Sequence, residues 1–172
     1  WTYTNCDAVE LFLNGVSLGK KSRGHDDMYL MWRVEFEKGT ILGVGYKDGK
    51  EIMSREVKTA GEPAAIVLSA DRTEISADGS DLSFITVTVV DSDNIPVPDA
   101  DNLIRFSVSG EGAIAGVDNG LQTSMESFRA DHRKAFNGKC LLVVRAGKED
   151  GSINVSAASD GLNPAATVIR VR

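Results

Sequence analysis

The dipeptide Asn14-Gly15 most constrains the fold, because it joins two runs in which apolar residues alternate with other residues. Both central positions of a type I′ turn need a positive φ, which Asn and Gly adopt readily. Before the turn, Val9, Leu11 and Leu13 recur at every second position, which is the spacing of one face of a strand. The sequence therefore predicts a β-hairpin close to the first residue.

The pattern continues as far as Thr59. The run "YLMWRVEF" (residues 29–36) predicts a strand, and residues 41–59 predict a second hairpin that turns at Asp48-Gly49. Trp32 shares a strand face with apolar neighbours, so we interpret it as core, with an exposed sugar-stacking ring as the alternative. Two hairpins and one strand make a small sheet that needs a second layer.

Residues 59–65, "TAGEPAA", have no periodicity and are predicted to be a linker. Seven strand-like runs follow with turn signals between them, a spacing typical of an immunoglobulin-like sandwich. Leu82 and Phe84 are out of phase with Ile85, which indicates a bulge. We therefore predict an all-β chain of two tandem immunoglobulin-like β-sandwich domains, a small one at 1–60 and a larger one at 61–172.

Charge and composition exclude several classes of function. The net charge is -6 and the basic residues are not concentrated on a footprint, which argues against nucleic-acid binding. No apolar run approaches the ~20 residues that span a bilayer, so membrane insertion is not predicted. The two cysteines, Cys6 and Cys140, fall in different predicted domains and do not suggest a disulfide framework.

Motifs that would carry catalysis are weak. Residues 15–19 match G-x-S-x-G around Ser17, but the chemistry needs a strand, a sharp turn and a helix, whereas this serine follows a hairpin turn. His25 and His132 each lack the convergent ligands of a metal site. We therefore predict no catalytic residue and no cofactor.

An acidic segment at 91–101 offers a calcium-binding alternative, because calcium takes six to eight oxygen ligands. The spacing of an EF-hand is absent, and Pro96 and Pro98 favour a stiff polar connection between strands. The carboxylates that would bind calcium are Asp91, Asp93, Asp99 and Asp101.

The irregular stretch 118–139 mixes aromatic rings with amide, carboxylate and guanidinium groups, which is a combination that sugar sites use. The simpler interpretation, which we favour, is a long loop held to the sandwich by its two phenylalanines. The candidate carbohydrate-binding residues are Asp118, Asn119, Phe128, Arg133 and Phe136.

Several stretches resemble one known family: "DAVELFLNGVSLG", "WRVEFEKGTILGVGYKDGK", "AGEPAAIVLSADRTEISADGSDLSFITVTVVD", "FSVSGEGAIAGVDNG" and "ESFRADHRKAFNGK". Together they are similar to the C-terminal accessory domains of bacterial glycoside hydrolase family 2 enzymes, mostly β-galactosidases. The second region is also similar to bacterial immunoglobulin-like domains of surface proteins.

The resemblance implies that catalysis lies in a TIM barrel upstream, so no catalytic residue carries over to this chain. It implies a piece of a larger periplasmic or extracellular enzyme, whose first domain has lost a leading strand and is the less stable of the two. The expected role is structural, through contacts with the catalytic and other domains of the parent, with Phe12 as one contact. The alternatives are a carbohydrate-binding module that takes glycan as its partner, and a cell-surface spacer.

Overall fold

The computed structural model describes residues 1–172 and contains strands and turns without helices, so the all-β prediction is confirmed. No helix of the chain is long and apolar enough to cross a membrane. The chain divides into two compact units, Trp1–Thr59 and Ala60–Arg172, which we call the first unit and the second unit.

The first unit has one four-stranded antiparallel sheet, in the order β3-β2-β5-β6, and one two-stranded antiparallel sheet, β1-β4. Both predicted hairpins are present. Asn14 and Gly15 have φ of 49° and 81°, and Asp48 and Gly49 have φ of 49° and 75°. Its strands are β1 (Thr2–Tyr3), β2 (Ala8–Leu13), β3 (Val16–Ser22), β4 (Tyr29–Leu30), β5 (Thr40–Lys47) and β6 (Lys50–Lys58).

The strand predicted at 29–36 is wrong beyond its first two residues. Only Tyr29–Leu30 is paired in a ladder, because β1 offers just two residues as ladder partners. Trp32 lies in the irregular segment that follows and is half-buried, so it is not the core residue that we expected. Its Nε1 donates a hydrogen bond to the Gly19 carbonyl at 3.2 Å.

The second unit has two sheets, in the orders β12-β10-β14-β15-β8 and β11-β13-β9-β7. Every pairing is antiparallel except β15 with β8. Its strands are β7 (Ala65–Ala70), β8 (Glu74–Ile75), β9 (Leu82–Val90), β10 (Leu103–Gly110), β11 (Gly112–Asp118), β12 (His132–Lys134), β13 (Lys139–Ala146), β14 (Gly151–Ala158) and β15 (Ala165–Val171).

Side chains from both sheets of the second unit meet in one core. The predicted bulge near Leu82 is wrong, since β9 pairs with both neighbours without a register shift. Ser83 takes the inward position there and donates its hydroxyl to the Arg72 carbonyl at 2.7 Å, while Phe84 points outward. The fully buried side chains include Ile85, Val89, Ile104, Leu142, Val144, Ile153 and Ile169.

Candidate functional site

Arg133 organises the long loop between β11 and β12. It is the middle residue of β12, pairs with Ile104 of β10, and its side chain is 1% exposed. The Arg133 guanidinium donates to the Glu126 carbonyl at 3.1 Å and to the Asn119 side-chain oxygen at 3.1 Å. A longer contact of 3.4 Å reaches Asp118 Oδ1.

Glu126 closes this network from the loop side. Its Oε2 lies 3.7 Å from Arg133 Nε, and its Oε1 accepts the Lys134 backbone N–H at 3.2 Å. Arg133 Nε has no hydrogen-bond partner of its own, so Glu126 serves it as an ion pair at a distance. Glu126 is not recognisable from the sequence, because an acidic residue within a polar loop carries no periodic signal.

The Arg133 network brings together four of the five candidate carbohydrate-binding residues. Asp118 and Asn119 accept from the guanidinium, and the Phe128 ring centroid lies 5.2 Å from it. Phe136 instead pairs its backbone with Lys139 across the tight turn before β13. The Arg133 guanidinium is enclosed by protein, so its hydrogen bonds hold the loop in place and are not available to a ligand.

Two large apolar side chains of this loop are exposed. Phe128 is 61% exposed, and Met125 at the loop tip is 98% exposed. A shallow depression of about 240 Å³ adjoins the loop and is lined by Asp118, Asn119 and Lys139 among others. Beneath it Cys140 is buried, and burial raises the pKa of its thiol to about 12, so this cysteine is an inert core residue rather than a nucleophile.

The structure does not bring the four calcium candidates together. The Asp91 carboxylate accepts the backbone N–H groups of Gly61, Asp93 and Ile95 at 2.7–2.9 Å, and these bonds lower its pKa. Asp93, Asp99 and Asp101 are exposed. No group of three or more acidic, histidine or cysteine side chains has an arrangement suited to a metal ion. Asp91 therefore acts as an organiser of its turn.

The largest cavity that we describe lies in the first unit and has a volume of about 630 Å³. One face of the four-stranded sheet forms its floor, with Val9, Leu11 and Gly43 on the central strands. Residues 1–4 and the side chain of Trp32 form a wall. Arg55 is the only charged residue in its lining.

Aromatic rings cluster beside this cavity. Trp1 and Tyr29 are stacked with ring centroids 4.8 Å apart and an interplanar angle of 6°, and Tyr3 lies 5.9 Å from Tyr29. Trp1 and Tyr3 are 72% and 70% exposed. Phe12, which we expected to contact a partner, is half-buried.

Comparisons with known proteins match both units. Residues 66–168 match the family model for glycoside hydrolase family 2 C-terminal domain 5, and residues 1–53 match a domain of unknown function, DUF4982. A β-galactosidase from Bacteroides ovatus is 48% identical over 166 residues, which are 96% of this chain and 20% of that protein.

Solved structures of glycoside hydrolases also match this chain. A glycosyl hydrolase family 2 member from Bacteroides cellulosilyticus matches with a TM-score of 0.94 and 45% identity, over 99% of this chain and 22% of that one. A β-glycosidase from Bacteroides vulgatus matches with a TM-score of 0.90 and 33% identity, over 97% and 21%.

The chain belongs to the C-terminal domains of glycoside hydrolase family 2, as the resemblance implied. It spans about a fifth of the length of these relatives.

Proposed function

We propose that this chain is a non-catalytic accessory region of a β-galactosidase-like glycoside hydrolase and that it stabilises the catalytic part by packing against it. The catalytic carboxylates of that enzyme lie outside these 172 residues. In this proposal both units are immunoglobulin-like sandwiches, and the enzyme works in the periplasm or outside the cell.

The observation that carries the proposal is the apolar surface of the first unit. Most of the large apolar side chains that the chain exposes belong to its first 59 residues, among them Trp1, Met28, Phe36, Ile52 and Val57. A concentration of large exposed apolar side chains on one unit supports a surface that a partner covers.

A chimera tests the proposal. This chain replaces the matching region of the Bacteroides ovatus β-galactosidase, and a second protein lacks that region. We expect the chimera to hydrolyse nitrophenyl β-galactoside, and we expect the deletion to lower the melting temperature and the soluble yield. Equal melting temperatures for deletion and chimera would reject the structural role, and turnover by the isolated chain would reject the non-catalytic role.

Carbohydrate binding is a second candidate function, which the exposed aromatic rings favour. The stacked Trp1–Tyr29 pair and the ring of Phe128 each present an apolar face of the kind on which a pyranose stacks. Calorimetric titration of the chain with galactose-containing oligosaccharides tests it. Saturable heat that falls on Phe128→Ala or Trp1→Ala would support this function, and no heat across the panel would reject it.

A further inference from the structure

Three asparagines of the chain are followed directly by a glycine: Asn14, Asn119 and Asn137. An asparagine loses its side-chain amide most readily before glycine, because glycine has no Cβ to obstruct the attack of its own backbone nitrogen on the neighbouring side-chain carbonyl. The reaction places two requirements on a folded chain. The asparagine side chain must be free to turn, and the backbone N–H of the following glycine must be available.

Asn14 does not meet the first requirement. Its Oδ1 accepts the Thr40 backbone N–H at 2.8 Å. Its Nδ2 donates to the Lys38 carbonyl at 3.2 Å and to Glu37 Oε1 at 3.1 Å. Because the side chain cannot turn towards the main chain without breaking these bonds, the folded first unit protects Asn14.

Asn119 meets neither requirement. Its Oδ1 accepts from the Arg133 guanidinium at 3.1 Å, and its Nδ2 donates to the Lys134 carbonyl at 2.9 Å. The Gly120 backbone N–H donates to Asp118 Oδ1 at 3.2 Å. The network that holds the loop therefore also protects this asparagine.

Asn137 differs from the other two because its side chain is exposed and makes no hydrogen bond. It has a φ of 51° and Gly138 a φ of 74°, and together they form the tight turn between Phe136 and Lys139. The Gly138 backbone N–H donates to the Ala100 carbonyl at 3.0 Å. This single backbone hydrogen bond is the protection that the fold gives to the dipeptide.

We infer that Asn137 is a site of spontaneous modification in the folded chain, where loss of its side-chain amide produces aspartate and isoaspartate. The Gly138 backbone nitrogen gives up its proton to solvent base and bonds to Asn137 Cγ, and the Asn137 side-chain nitrogen leaves as ammonia. Water then opens the cyclic imide. Cleavage of the imide bond at Cγ leaves aspartate, and cleavage at the main-chain carbonyl carbon leaves isoaspartate. The inference is independent of the role proposed for the chain.

The turn that contains Asn137 is packed closely against the rest of the second unit. The Gly138 carbonyl accepts the backbone N–H of Val89, a residue that is 0% exposed, at 2.8 Å. A Cβ built on Gly138 would collide with the Val97 carbonyl oxygen. Isoaspartate adds one carbon atom to the main chain of this turn, which displaces the hydrogen bonds of Gly138. We therefore expect the modification to destabilise the second unit.

The experiment ages the purified chain in mildly alkaline buffer, at a temperature at which tryptophan fluorescence shows that the first unit is folded. Peptide mapping by mass spectrometry follows the conversion of each asparagine, and protein isoaspartyl methyltransferase detects isoaspartate. We expect Asn137 to convert at least about tenfold faster than Asn14 and Asn119, because these two must first break several hydrogen bonds. In urea we expect similar rates at all three, since the protection is lost with the fold.

Asn137→Gly is the matched control, because glycine adopts the positive φ of this position and has no amide to lose. After full conversion, we expect the second unit of the parent chain to melt about 4–8 °C lower than before ageing. The aged Asn137→Gly chain should keep its melting temperature. We expect a smaller fall for Asn137→Asp, which carries the new charge on an unchanged main chain.

Faster conversion at Asn137, with a fall in melting temperature that Asn137→Gly abolishes, supports the inference. If Asn137 stays intact in the folded chain and converts in urea, the Gly138 hydrogen bond to Ala100 is sufficient protection and the inference is overturned. Conversion of Asn14 as fast as Asn137 also overturns it, since local opening of the first unit would then set the rate. An unchanged melting temperature after full conversion overturns the expected effect on the second unit.

Discussion

The two units differ greatly in how many apolar side chains they bury. In the first unit only Cys6, Ala8, Val9, Leu30 and Val44 are buried apolar residues, whereas the other buried apolar side chains of the chain belong to the second unit. The second unit closes two sheets around one core. In the first unit one face of the four-stranded sheet lines a cavity, whose other lining residues include 1–4 and Trp32.

The difference shows that strand pairing alone does not make a stable domain. Both units pair their strands mostly in antiparallel ladders, but burial of apolar surface supplies most of the free energy of folding. We expect the first unit to unfold before the second, and the following changes test and refine that expectation.

The largest expected effect comes from Leu142→Ala in the second unit. Leu142 is 0% exposed, so its truncation should lower the free energy of unfolding by about 2–5 kcal/mol. Leu11→Ala, at the half-buried edge of the open cavity, should cost about 1 kcal/mol, because its neighbours are already partly absent.

Urea denaturation separates the two units. Both tryptophans, Trp1 and Trp32, lie in the first unit, so tryptophan fluorescence follows that unit and far-ultraviolet circular dichroism follows the whole chain. If Leu142→Ala and Leu11→Ala lowered the free energy of unfolding equally, the two cores would be equally well packed, which would contradict the difference between the units.

The next effect concerns the loop that Arg133 fixes. Glu126→Ala leaves a guanidinium that is 1% exposed with Asp118, 3.4 Å away, as its remaining ion-pair partner, and should cost about 3 kcal/mol. Arg133→Met should cost less, about 1–2 kcal/mol, because the Glu126 carboxylate is 30% exposed and can be hydrated.

The order of these two losses is the test, measured by urea denaturation of the second unit. Hydrogen exchange at loop amides reports whether the loop is released. A larger loss for Arg133→Met than for Glu126→Ala would mean that packing of the arginine stem, and not pairing of its charge, holds the loop.

The parts of the fold that could be predicted from the sequence are those in which apolar residues alternate regularly. Alternation predicted seven of the nine strands of the second unit and the inward face of β9 from Ile85 onward, but it missed the short strands β8 and β12. It failed at Ser83, because a buried serine that hydrogen-bonds to a carbonyl interrupts the apolar pattern without interrupting the strand. It failed again around Trp32, where the pattern continued but β1 gave no ladder partner.

The arrangement of side chains around Arg133 could not be predicted, because periodicity does not report which residues meet in space. Arg133 and Phe128 could be selected by residue type, but their mutual placement depends on where β12 brings the loop back to β10. The cavity of the first unit depends on how residues 1–4 and Trp32 lie against the four-stranded sheet, which no local pattern records.

A smaller effect tests the hairpin at Asn14-Gly15. Besides its positive φ, Asn14 accepts the Thr40 backbone N–H at 2.8 Å and donates to the Lys38 carbonyl at 3.2 Å. We expect Asn14→Ala to cost about 1–2 kcal/mol by tryptophan fluorescence. Asn14→Gly keeps the backbone freedom and should cost less, and an equal loss would place the whole effect in the hydrogen bonds.

The smallest expected effect is a dependence of the second unit on acid. The Ser76 backbone N–H and the Arg72 guanidinium lower the pKa of Asp81 to about 2 from an ordinary value of 3.8. A lowered pKa means that the unfolded chain binds the proton more readily, so the stabilisation is complete above about pH 4 and is lost as the pH falls through 2. Between pH 5 and 2, the melting temperature of Asp81→Asn should therefore fall less with decreasing pH than that of the parent chain. If the melting temperature of Asp81→Asn depends on pH in the same way as that of the parent chain, other carboxylates govern the acid response. If Arg72→Met weakens the pH dependence as Asp81→Asn does, the Arg72 charge contributes to the lowered pKa of Asp81.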